Sequence, residues 1–223
     1  MGRIAEKIGR YRASLPEGVT LVAVSKFHPV GALREAYDAG QRHFGESRAQ
    51  ELAAKAPLLP DDIKWHFIGH LQRNKVASVV AHASMIQSVD SLRLLREIDK
   101  EGVKQGRRVD VLMEVHVARE ETKNGFSPDE IFDILNMELL ESLECVHICG
   151  IMGMATNTDD ESRVRADFER LRDVFERLRG GNLAAARGFD TLSMGMTDDH
   201  IMAIACGSTM VRIGTDIFGP REY

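Results

Sequence analysis

Short apolar runs alternate with stretches of helical periodicity from one end of the chain to the other. The first run, VTLVAVSK (Val19 to Lys26), is apolar at consecutive positions, as expected of a parallel strand buried on both faces. Further runs follow: HFGE (His43 to Glu46), WHFIGH (Trp65 to His70), MIQSV (Met85 to Val89), VDVLMEVHV (Val109 to Val117), VHICGIM (Val146 to Met152), FDTLSMG (Phe189 to Gly195) and STMVRIG (Ser208 to Gly214). With the first they make eight, the number that a (β/α)₈ barrel requires. Between them lie helical signals. Ile4, Ile8, Tyr11 and Leu15 form one face of an extra N-terminal helix. Ser127-Pro128-Asp129-Glu130 reads as a capping box with proline at the first helical position. The segment from Asp160 to Arg179 places Val164, Phe168, Leu171, Phe175 and Leu178 on one face and stops at Gly180-Gly181. The rival architecture, a doubly wound open sheet, usually carries a G-x-G-x-x-G turn after its first strand, where this chain has VAVSKFHP. The pattern therefore predicts an α/β chain folded as one (β/α)₈ TIM-barrel domain over residues 1–223.

Composition narrows the function. At 223 residues the chain is long enough to bury a full core. Its net charge of −5, with acidic and basic residues intermixed, leaves no footprint for nucleic acid or an anionic membrane. Three cysteines, Cys145, Cys149 and Cys206, without C-x-x-C spacing suit a reducing compartment and read as small buried residues. The N-terminus has no apolar leader segment and no stretch reaches transmembrane length, so a cytoplasmic protein is expected.

Active sites of such barrels are built where the strands end, which draws attention to the polar residues closing apolar runs. Lys26 closes the first. A desolvated lysine amine there has its lone pair freed to condense with an aldehyde or ketone, although a lysine at a strand end also commonly reaches out into water. At the other end of the chain LSMG (Leu192 to Gly195) and GSTMVRIGT (Gly207 to Thr215) place two small, hydroxyl-bearing turns side by side. Ser193, Gly195, Gly214 and Thr215 fit a phosphate cradle, since glycine admits backbone N–H groups to an anion; equally, each glycine can serve only its turn. Arg212 ends the last strand, where a charge needs a partner. An amine opposite a phosphate cradle describes a phosphorylated carbonyl ligand, and pyridoxal 5′-phosphate adds a ring nitrogen for Arg212 to face. A donor-only guanidinium favours the unprotonated pyridine nitrogen and weakens the ring as an electron sink, which suits binding more than fast chemistry.

These residues carry a family resemblance over nearly the whole chain. AVSKFHP around Lys26, HFGES at Gly45 to Ser47, WHFIGHLQRNK from Trp65 to Lys75, EETKNGF around Lys123, LSMGM at Ser193 and GSTMVRIGTDIFGPR from Gly207 to Arg221 resemble, in order, the pyridoxal phosphate homeostasis proteins, relatives of the barrel domain of alanine racemases. The resemblance implies a Schiff base on Lys26 and Arg212 facing the pyridine nitrogen. It implies Ser193, Gly214 and Thr215 as phosphate ligands, with Met194 and Ser208 lining the site and Ser47 close to the cofactor. It further implies a monomer that buffers or carries the cofactor in the cytoplasm without robust catalysis, with transient contact to apo-enzymes as a further expectation. Ser47, His116 and Thr156 depart from the commonest family wording, which has Asn, Asn and Pro there. A serine at 47 reaches less far and offers one donor where asparagine has two.

Three alternatives compete. A weak amino-acid racemase would use Lys26 as one proton-transfer base, but racemases append a β domain and a second base from a partner, whereas this sequence ends at Tyr223, soon after Gly214. A cofactor-free enzyme would form its Schiff base with a sugar phosphate. A metal centre at His43, His66 and His70 is disfavoured, because a strand would hold His66 and His70 in line but about 13 Å apart. No metal is expected. Lys123, in the loop after the fifth strand, reads as a solvated lysine or as a transient docking point for the cofactor.

Overall fold

The computed structural model describes residues 2–119, 124–181, 183, 185–186 and 188–220. Lys123 lies outside the described residues. Eight strands, β1 (Thr20–Val24), β2 (His43–Glu46), β3 (Lys64–Phe67), β4 (Met85–Val89), β5 (Val109–Glu114), β6 (Val146–Met152), β7 (Thr191–Ser193) and β8 (Met210–Ile213), pair in sequence order and close into a barrel. Every adjacent pair is parallel. Closure occurs between β1 and β8, with Thr20 opposite Met210 and Ala23 opposite Ile213. The strands are buried almost throughout, which explains why their sequences run apolar without alternating.

β2, β4 and β6 have the limits that their sequences predict; the other five are shorter. β1 stops at Val24 because the chain turns, His28 N–H donating to the Ser25 carbonyl and Phe27 adopting a left-handed φ of 67°. An aromatic residue there is strained, so neighbouring contacts must impose it. β3 ends at Phe67, which removes the assumed in-line strand placement of His66 and His70.

The N-terminal helix (Arg3–Ser14) buries Ile4, Ile8 and Tyr11 and reaches the far end of the chain: Lys7 and Arg10 pair with Asp216 at 2.6 and 3.1 Å. Ser127 and Glu130 form the expected capping box on the helix Pro128–Ile134. The helix Glu161–Gly180 is capped by Asp160 and buries the predicted stripe together with Val174 and Asp167. Cys149 and Cys206 are buried as expected, but Cys145 is half-exposed, beside Gly102. No helix among the described residues is long and apolar enough to cross a membrane.

Candidate active site at the strand ends

The register carries β1 and β8 side by side to their C-terminal ends, with Val22 opposite Arg212 and Ala23 opposite Ile213. The next step brings Gly214 against Val24: a Cβ added to Gly214 would stand 3.2 Å from the Val24 carbonyl oxygen. Lys26 follows two residues later, so Lys26, Arg212, Gly214 and Thr215 share one sector of the barrel mouth. His28 stacks on Phe218 with ring centroids 5.1 Å apart, tying the turn after Lys26 to the segment after Thr215. The β7 exit joins them through Arg212 N–H, which donates to Gly195 O. Gly195 has a φ of 95°, and a Cβ there would come within 2.6 Å of the Ala203 Cβ, so the turn demands glycine.

Other expected residues are placed differently. Ser193 is fully buried, and its hydroxyl points across the lumen to Gln87 on β4 (2.7 Å) while accepting from Arg212 Nη1 (2.6 Å). Met194 is enclosed in the hydrophobic core, and the Ser208 hydroxyl is spent on the carbonyls of Leu192, Met194 and Met210. Ser208 precedes β8 rather than ending it, so its side chain braces the strand. Ser47 follows β2, packed on Gly69, in a small cleft shared with Arg48, His70 and Lys75. His116 follows β5 and has a buried Nε2 that lacks a hydrogen-bond partner. Thr156 donates its hydroxyl to buried Asp167 at 2.6 Å, an anchor that proline could not supply.

Two polar systems, whose connections no linear motif reveals, support these residues. The first clamps the flanks of Lys26. Lys55, buried in the helix Ala49–Lys55, donates to Ser25 O (2.9 Å), Glu46 Oε1 (2.9 Å) and Glu51 Oε2 (2.8 Å). Glu51 in turn accepts the Phe27 N–H at 2.8 Å, and Ser25 Oγ donates to Glu46 at 2.6 Å. The residues on both sides of Lys26 are thus fixed by one ammonium, which accounts for the left-handed Phe27. Burial raises the pKa of Glu46, with Lys55 pulling it back; burial also acts on Glu51, but the bonds from Lys55 and Phe27 N–H outweigh it and lower that pKa.

The second system crosses the lumen. Arg212 donates to Ser193, Ser193 to Gln87 Oε1, Gln87 Nε2 to His66 Nδ1 (2.9 Å), and His66 Nε2 to His43 Nδ1 (2.9 Å). Guanidinium only donates, so this direction fixes the Gln87 amide orientation and both histidine tautomers. Burial lowers the His66 pKa to about 3 and also lowers that of His43, keeping both rings neutral. His70 is engaged elsewhere, with Asp90 at 3.2 Å, so the three histidines do not converge on a metal. Replacing Gln87 with leucine is expected to orphan His66 Nδ1 and the Ser193 hydroxyl proton, costing about 1–3 kcal/mol for each buried group, measured by urea unfolding. An unchanged midpoint would mean that the lumen rehydrates without cost.

Arg212 also donates to Gly153 O (3.1 Å). Burial lowers its pKa to about 10, so it stays charged at neutral pH. Glu114, at the end of β5, is raised to about 7 by burial and then by Asp90, with Arg212 only partly opposing. The folded state therefore holds a proton on Glu114 that the unfolded chain releases at lower pH, and this group's contribution to stability falls as pH rises from about 4.5 towards 7, by roughly 3 kcal/mol at most. Glu114→Gln is expected to flatten the pH dependence of the unfolding free energy in that window; a parallel curve for both proteins would refute the assignment.

The chain is thus an eight-stranded parallel barrel with a lysine, an arginine and glycine turns at its closing seam, on the strand-end face where barrels of this class carry their sites. The chain matches the family described as alanine racemase, N-terminal domain, over residues 1–222. It is 38% identical to a pyridoxal phosphate homeostasis protein from Pasteurella multocida, covering 95% of this chain and 91% of that protein. It is also 38% identical to the protein of the same description from Aquifex aeolicus, covering 100% and 97%. The structure of PipY from Synechococcus elongatus with pyridoxal phosphate bound superposes with a TM-score of 0.87 at 37% identity, covering 97% of this chain and 100% of that one. The chain belongs to the pyridoxal phosphate homeostasis protein family, within the wider group that shares the alanine racemase N-terminal barrel.

Proposed function

We propose that this chain is a single-domain carrier of pyridoxal 5′-phosphate, which it holds reversibly on Lys26 and releases to apo-enzymes, as a monomer in the cytoplasm. The observation that supports this most is the placement of Lys26, Arg212 and Gly214 on adjoining strand ends, in a fold whose relative PipY has been solved with pyridoxal phosphate bound. The residues fit the group: Gly214 lets the β8 exit lie against Val24, where a Cβ would be crowded, so its backbone stays bare at the mouth, and Arg212 keeps its charge although buried. When bound, the cofactor supplies an aldehyde and an electron-accepting pyridine ring.

The chain's own residues divide the work. Lys26 Nζ would offer the amine to which a bound aldehyde could be tethered. Arg212 offers N–H donors towards the ring nitrogen and no proton acceptor, so it restrains the ring's electron demand. Gly195, Gly214 and Thr215 receive the phosphate. Ser193, its hydroxyl already committed, contributes by fixing Arg212. Ser47, which follows β2, would contact the cofactor only through water, given its short reach.

The test is a titration of the full chain with pyridoxal phosphate, followed by borohydride reduction, proteolysis and mass spectrometry. A yellow protein with the adduct on the Lys26 peptide is expected. A colourless protein with no fixed adduct would sink the reading and leave a cofactor-free barrel.

A further inference from the structure

At the opposite end of the barrel, where the strands begin, a second cluster has no part in the site above. Asp110 at the start of β5 stands in register with His147 on β6, and Cys149 follows two residues later. His147 Nδ1 lies 3.1 Å from Asp110 Oδ1 and 3.3 Å from Cys149 Sγ. All three donor atoms lie within 4.8 Å of one another. A nucleophile–base–acid relay uses both nitrogens of its imidazole, one towards each partner. Here both contacts fall on the same nitrogen, so carboxylate, imidazole and thiol converge on one point rather than forming a line.

We propose that Asp110, His147 and Cys149 form a binding site for a divalent transition metal of the zinc class. Tetrahedral zinc with ordinary Zn–N, Zn–O and Zn–S distances holds its ligand atoms about 3.4–3.6 Å apart, so the observed nitrogen-to-oxygen and nitrogen-to-sulfur spacings need open by only a few tenths of an ångström. Three protein ligands leave a fourth position for water. The His147 ring is confined, because Gly188 packs so closely that a Cβ there would come within 2.8 Å of Cε1. Soft sulfur with imidazole and one carboxylate selects zinc or a similar ion over magnesium or calcium. Binding exchanges the thiol proton for the metal and releases that proton to solvent, so affinity rises with pH.

The experiment uses the full chain, stripped with a chelator and titrated with zinc chloride, and in parallel with cobalt chloride as a coloured probe. About one zinc per chain is expected, together with a thiolate-to-cobalt charge-transfer band. Cys149→Ser should lose the band. His147→Gln, at a side chain about half exposed, should weaken zinc binding and guards against Cys149→Ser failing to fold. Pyridoxal phosphate loading should be unchanged in His147→Gln, which separates this site from the mouth. Failure to retain zinc, or equal retention by wild type and both variants, overturns the proposal.

Discussion

Lys26→Ala is expected to give a folded chain that stays colourless with pyridoxal phosphate and yields no borohydride-fixed adduct. The side chain lies at the barrel mouth rather than in the hydrophobic core, and the bonds from Lys55 to Ser25 and from Phe27 to Glu51 remain in the variant. The phosphate and ring contacts persist, so weak, freely dissociating binding should remain, about a hundredfold or more below wild type, or some 3 kcal/mol. Equilibrium dialysis with the phosphorylated aldehyde measures it directly. Undiminished affinity would transfer the anchor to another amine and refute the role of Lys26.

The second large effect concerns a residue with no chemistry of its own. Lys55→Met should destabilise the protein by about 3–5 kcal/mol, because it strands the buried Glu46 carboxylate, and partly buried Glu51, without their ammonium. The loss should be smaller at acid pH, where both carboxyls take up protons. Lys55→Met/Glu46→Gln should recover part of it, since a neutral amide needs no counter-charge. Residual folded protein should also load pyridoxal phosphate less well, because the Ser25 carbonyl and Phe27 amide that frame Lys26 lose their common tether. Thermal unfolding and the colour titration read the two effects separately. A stable variant with normal loading would show that the left-handed turn at Phe27 holds itself.

The sequence carries the barrel openly because parallel strands buried on both faces cannot hide their composition. β2, β4 and β6 were legible to the residue. β1 was overread because the turn after Lys26 is imposed by Lys55 and Glu51 from a neighbouring helix, and Phe27 carries none of the marks of a left-handed residue. The mouth residues Lys26, Arg212 and Gly214 were legible for a related reason: a polar residue or glycine that closes an apolar strand stands out by position alone. Gln87, His66 and His43 could not be read in this way, since their partners lie across the lumen on strands far apart in sequence. Ser193 stood out by the same rule as Lys26, yet strand direction alone did not reveal that its hydroxyl turns inward. Lys55, in a helix, looks like any solvated lysine until the fold covers it.

The closing seam between β1 and β8 joins the first strand to the last, and the N-terminal helix reinforces it from outside through Asp216. A ligand held as proposed, by Lys26 on one side and by Arg212 and Gly214 on the other, would work as a removable stitch across that seam. Opening of the barrel there would then cost more while the stitch is in place, so amides of β1 and β8 should exchange with deuterium more slowly in loaded protein than in empty protein. By the same linkage, loosening the seam from outside, for example by breaking the ion pairs of Lys7 and Arg10 with Asp216, would be expected to speed release without touching the cofactor.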